Sequence, residues 1–274
     1  MSAAVNDVAT LMSEGRLADA VAAETARVRA APDAAAARGT LAELLCLSGA
    51  FDRAETQLAT LAQQTVDRPV AIARMRHLVR AAMAREAWFR DAAVPALMGD
   101  PSPAQRAALT LALAVRDGDP AATAAALDTA ETTRPHVTGN ADGVAFDDLR
   151  DADDASAWFF EILTHDGNYI WADLATIETI TFTPPRRPID LLWREARLAL
   201  HDGRVADIVV PAQYVDAGAS ERHRVALETS WRDGPGNTAF GVGQRVLLLG
   251  DEAKPILEVT KISFDRPATS AGTP

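Results

Sequence analysis

A self-similarity of 34 residues in an alanine-rich first half, a change to alternating apolar and polar residues beyond about residue 140, and turn dipeptides spaced along the second half predict a two-domain α + β chain. The first domain reads as a tetratricopeptide-like α-α superhelix and the second as a β-rich small barrel or strongly bent sheet. The expected boundaries are 1–137 for the helical repeats, 138–146 for a linker, 147–267 for the β-rich domain and 268–274 for a flexible tail. A length of 274 residues accommodates two domains.

From Val5 to about Pro135 the chain is rich in Ala, Leu and Arg and poor in β-branched residues, a composition that favours helix. Shifting this stretch by 34 residues places Leu11 on Leu45, Gly15 on Gly49, Leu17 on Phe51 and Ala20 on Ala54. Each type has a reason. Gly15 and Gly49 permit the tight turn between two antiparallel helices, Leu17 and Phe51 seal it, and the alanines stand where the helices come closest. Arg68-Pro69 opens a degenerate repeat reaching about Arg90, with Ile72, Met75, Val79 and Met83 along one side, and Gly118, Leu127 and Pro135 outline a weaker third copy. Such an array is expected to fold without the rest of the chain.

A superhelix of this kind leaves a concave surface suited to a peptide or helix. By register that surface carries Val5, Ala9 and Met12 from the first repeat, and Gly39, Glu43 and Cys46 from the second. Cys46, inside the apolar run Leu44 to Leu47, is also readable as plain core. Arg74, Arg76, His77, Arg80, Arg85 and Arg90 make one helix locally basic. They form either a solvated face or a surface for an acidic partner, with Arg76 and Arg80 as candidate contacts.

Around Thr138 to Gly143 the helix signals end. The acidic run Asp147, Asp148, Asp151, Asp153 and Asp154 lacks the glycine and the closing glutamate of a calcium loop, and reads as a solvated face or helix start. Trp158 to Thr164 and Asn168 to Trp171 flank Asp166-Gly167 as a hairpin, and Arg197 to Leu200 and Arg204 to Val210 flank Asp202-Gly203 as another. Thr176 to Phe182 and Ala226 to Trp231 read as strands, with Arg245 to Leu249 and Ile256 to Phe264 as a closing hairpin. Thr183 to Pro188 is an exposed extended connector before a short helical turn at Asp190 to Glu195. Tyr169, Trp171 and Trp193 are either core anchors or part of an interaction surface.

Chemistry is hard to find. The five histidines are scattered, with His165 and His201 placed as exposed turn residues, so no metal pair is expected. Gly241-Val242-Gly243-Gln244 lacks the third glycine of a dinucleotide loop. No catalytic residue, metal or cofactor is expected. With 27 Lys plus Arg against 38 Asp plus Glu, the net charge of -11 disfavours nucleic acid. No apolar run approaches the roughly 18 to 20 residues of a membrane span, and Met1 to Asp7 lacks the features of a signal peptide. One cysteine and no expected export point to the cytoplasm.

The order of motifs in the second half carries a family resemblance. Asp147 to Asp154, Glu161, Asp166-Gly167-Asn168-Tyr169-Ile170-Trp171, Arg187-Pro188-Ile189-Asp190-Leu191-Leu192-Trp193-Arg194, Val210-Pro211-Ala212-Gln213-Tyr214, Glu228-Thr229-Ser230-Trp231 and Gly243-Gln244-Arg245 follow one another as in the ImpE family, also called TagJ. The chain resembles that family, departing from its pattern at Ala157 to Phe160 and at Ser230. The resemblance implies a non-enzymatic accessory protein of bacterial type VI secretion, a cytoplasmic partner of the contractile sheath that recognises the amino-terminal helix of its small subunit. A general tetratricopeptide scaffold or chaperone with other clients, or an enzyme with an unmotified site in the β-rich domain, are the alternatives. The oligomeric state is not legible in the sequence.

Overall fold

The computed structural model describes residues 7–65, 68–91 and 93–267, so Val5 and the expected tail 268–274 lie outside the described residues. The first half holds α1 (Val8–Ser13), α2 (Leu17–Ala30), α3 (Ala35–Leu47), α4 (Phe51–Gln64), α5 (Pro69–Asp91), α6 (Pro103–Asp117) and α7 (Pro120–Thr133), with a short β1 (Ala96–Leu97) before α6.

The repeat is visible in the backbone. Gly15 and Gly49 take φ of 74° and 75°, a left-handed conformation open to residues without a Cβ. The following amides close the turns alike, Arg16 donating to the Leu11 carbonyl and Ala50 to the Leu45 carbonyl, both at 2.9 Å. Ala20 and Ala54 are fully buried between paired helices. Gly118 ends α6 at φ 68°, and Asp119 caps α7 by accepting from the Ala121 and Ala122 amides. Of the apolar side expected for α5, Ile72 and Val79 are buried, whereas Met83 stands 41% exposed.

The second half is strand-rich. It comprises β2 (Gly139–Ala141), β3 (Val144–Phe146), β4 (Leu149–Asp151), β5 (Phe160–Leu163), β6 (Tyr169–Ala172), β7 (Ile177–Phe182), β8 (Trp193–Leu200), β9 (Val205–Pro211), α8 (Glu221–Arg224), β10 (Thr229–Asp233), β11 (Ala239–Gly243), β12 (Val246–Leu249), β13 (Glu252–Pro255) and β14 (Lys261–Phe264). The main sheet runs β1-β6-β5-β9-β8-β7-β14-β2-β3, and its outer strands do not meet, so the second half is a bent open sheet with no closed barrel. Smaller sheets, β13-β12-β4 and β10-β11, fold over it. Alternate residues of β7, β8 and β9, such as Ile180, Leu198 and Ile208, pack with Leu247 and Ile256 into a core between the layers.

Several sequence expectations need correction. The stretch read as a linker, 138–146, is the β2–β3 hairpin, turned by Asp142 and Gly143 at φ 52° and 91° and paired to β14. The expected closing hairpin does not form, because β12 pairs with β13 and β4 while β14 enters the main sheet beside β7. Of the helical turn expected at Asp190 to Glu195, the part from Trp193 onward begins β8 instead, and Ala226, at φ 59°, turns the chain ahead of β10. Period-two patterning marks strands but carries no information on which strand pairs with which.

Candidate partner-binding grooves along the seam of the two halves

The concave side of the array, expected to lie open, is covered around Met12 and Cys46 by the chain's own second half. One hydrophobic core joins Leu45, Val79 and Leu111 of the helices to Trp158, Phe159, Trp171 and Trp193 of the second half. Met12 lies in a second shared cluster with Leu44, Leu47 and Val225 and is 7% exposed, so the concave face read at Met12 is not an open surface. Glu221 of α8 accepts the Ala18 amide at 2.7 Å, Phe51 stacks on Trp193, and Trp88 meets Trp171 edge to face with ring centroids 4.8 Å apart. At the far end Gly236, φ 63°, lies against α7 so closely that a Cβ there would fall 2.6 Å from the Ala124 nitrogen.

Charge is buried at the centre of this seam. Arg85 of α5 donates from Nε to Glu161 Oε1 at 2.6 Å and from Nη2 to Oε2 at 2.8 Å. Arg245 donates from Nη1 to Glu161 Oε2 at 2.9 Å and from Nε to Asp151 Oδ2 at 2.8 Å. The Tyr169 hydroxyl donates to Glu161 and the Tyr214 hydroxyl to Asp151, at 2.7 and 2.8 Å. Two guanidiniums against two carboxylates leave the cluster neutral, with each carboxylate oxygen engaged. Burial alone would raise the Glu161 carboxyl, but Arg85 and Arg245 outweigh it and hold it down at about 2. Asp153 nearby has no guanidinium contact, and burial and Asp151 push its carboxyl up to about 7.

These positions overturn two sequence readings. Asp151, Asp153 and Asp154 are buried rather than solvated, and Arg85 is core rather than part of a basic face. The signal was available. Glu161 sits between Phe159-Phe160 and Ile162-Leu163, and a charge inside an apolar run requires a buried partner. His165 is also not a free turn residue, since its Nε2 accepts from Arg74 at 2.6 Å and its carbonyl faces His77 Nδ1.

The remaining candidate contacts scatter. Tyr169, Trp171 and Trp193 are buried anchors of the seam, as is Cys46, whose thiol is raised by burial into an inert state. Ala9 and Arg80 are exposed on separate helices, and Arg76 donates to Glu55 at 2.8 Å. Glu43 is half-buried and accepts from Arg187 through a single oxygen at 2.6 and 3.1 Å. Burial raises the Glu43 carboxyl against the pull of Arg187.

That ion pair holds the connector before β8 across α3, and two hollows flank it. Ala35, Ala36, Gly39, Thr40 and Glu43 of α3 line a groove of 590 Å³ together with Leu58, Leu61, Ile72 and Met75 from α4 and α5. The carboxyl end of α3 lines a cavity of 540 Å³ with Phe51, Glu86, Trp193 and Arg224, and this adjoins a third hollow of 330 Å³ through Arg85, Phe89 and Tyr214. No group of His, Cys, Asp and Glu able to hold a metal occurs among the described residues, and no described helix is long and apolar enough to cross a membrane.

Similarity to known proteins follows the same division. Residues 11–83 match a tetratricopeptide repeat family, and residues 143–263 match the ImpE protein family. The chain is 25% identical over 258 residues to the type VI secretion system accessory component TagJ of Pseudomonas aeruginosa, covering 93% of this chain and 90% of that protein. The crystal structure of protein VPA1032 from Vibrio parahaemolyticus superposes with a TM-score of 0.87 at 25% identity, covering 94% of this chain and 97% of that one. The match to the ImpE family over 143–263, the tetratricopeptide repeat match before it and a similarity to TagJ that runs through both are the likeness this chain shows.

Proposed function

We propose that this chain is a non-enzymatic accessory protein of bacterial type VI secretion, working in the cytoplasm as an adaptor that grips the amino-terminal helix of the small contractile-sheath subunit. The similarity to TagJ supports the secretion role. The observation that carries the adaptor reading is the groove between α3, α4 and α5. Its floor is apolar at Leu58, Leu61 and Ile72, and its α3 wall is built from Ala35, Ala36, Gly39 and Thr40, small residues that let another backbone approach closely. Glu43 and Arg187 stand at its end as polar contacts.

A titration of the full chain with the sheath subunit's amino-terminal peptide tests the reading. Saturable binding is expected, weakened about tenfold or more by Ala36→Trp, which fills the groove from an exposed position. Absence of binding to that peptide sinks the sheath assignment and leaves a scaffold for other clients. Binding unchanged by Ala36→Trp sinks the groove.

A further inference from the structure

We propose that the hollow of 330 Å³ between α5, α6 and the chain around β11 is a separate binding site, for a small organic anion with an apolar body. Its walls come from both halves, Trp88, Phe89, Leu111 and Val115 on one side and Phe240 on the other. The volume lies in the range of small-molecule sites, roughly 300 to 1,000 Å³. In its lining is Ser156, 2% exposed, whose hydroxyl has no hydrogen-bond partner among the described residues.

The charge around the opening decides the ligand class. Arg90, Arg116 and Arg232 line it with exposed side chains in a chain of net charge -11. Arg116 makes no ion pair among the described residues, and Arg90 pairs with its exposed neighbour Asp91. Arg232 reaches Asp216 at 3.2 Å while lying over the Phe240 ring, its own side chain exposed and both partners largely buried. The two acids in the lining are already engaged. Asp153 accepts from the Gly241 and Ala155 amides, and Asp154 from the Ala239 amide and Arg150. An anionic head at the guanidiniums and an apolar body against Trp88 and Phe240 match the charge and the walls of the site.

The probe 8-anilino-1-naphthalenesulfonate has this chemistry and fluoresces when bound, so its titration into the full chain is the test. The expected result is saturable one-site binding that weakens with salt, falls about tenfold in Arg116→Glu and is lost in Ala112→Trp, whose side chain would fill the hollow. Arg116 is exposed, so that variant decides the matter even where Ala112→Trp melts early. Decanoate should displace the dye at lower concentration than a peptide ending in Glu-Phe. Dye binding that neither substitution alters, or displacement by the peptide in preference to decanoate, overturns the proposal.

Discussion

Phe51 at the head of α4 and Trp193 at the start of β8 stack nearly parallel, their ring centroids 6.2 Å apart and their planes 10° from parallel. The residue that seals a repeat turn thus also anchors the sheet. Trp193→Ala should lower stability by about 3 to 5 kcal/mol, read from chemical denaturation, with loss of near-ultraviolet dichroism from both halves together. A transition in which the helices keep their original midpoint would show that the stack joins nothing.

The Arg85–Glu161 pair bears on pH. The Glu161 carboxyl, near 2 in the folded chain, lies below its unfolded value, so its contribution is fully present above about 4.5 and is lost as pH falls towards 2. Acid unfolding of the parent should steepen in that window, and Glu161→Gln should lack this component. At neutral pH the same substitution should cost about 3 to 5 kcal/mol, because two buried guanidiniums lose a shared partner.

Asp153 has the opposite sign. With its carboxyl at about 7 in the folded chain, the folded state holds a proton that the unfolded chain has released, so stability should decline as pH rises from about 4 to 7. Melting temperatures across that range test it, and a flat profile would mean that Asp153 is paired in solution.

Separating the halves should expose their shared core. A fragment ending at residue 137 retains both repeat turns, yet leaves Trp88, Phe51 and Leu47 without the sheet residues that cover them. Helical dichroism with a broadened, lowered melt and strong dye binding is the expected outcome. A fragment melting as sharply as the full chain would show that the repeats are self-sufficient.

Met12→Glu tests how firmly α8 is seated on the array. Met12 packs with Val225 under α8, so the charge should destabilise the full chain by roughly 2 to 5 kcal/mol, measured by denaturation. Little change in the midpoint would mean that α8 lifts readily from the array.

The helical half was legible because its signals are local. Gly15, Gly49 and Gly118 each mark a turn whose backbone only glycine adopts easily, and the spacing of the first two carried the repeat. The β5–β6 and β8–β9 hairpins were legible for the same reason, each being closed by an Asp-Gly pair. The pairing of β14 with β7 and β2, and the covering of the concave face, depend on contacts between residues far apart in sequence, which periodicity does not encode. The same holds for the seam: Arg85 looked like one arginine among several on α5, and only Glu161, 76 positions away, distinguishes it.

Gly236 against α7, the connector over α3 and α8 against α2 give nearly every helical pair its own dedicated seat on the second half. Solenoids ordinarily change length by whole units, since each unit needs only its neighbours. Here a duplicated or deleted unit would carry every later helix off its seat, displacing Arg85 from Glu161 and Gly236 from Ala124. The number of repeats is therefore fixed by the length of the sheet they enclose, and the array has exchanged the modularity of its class for a single permitted size.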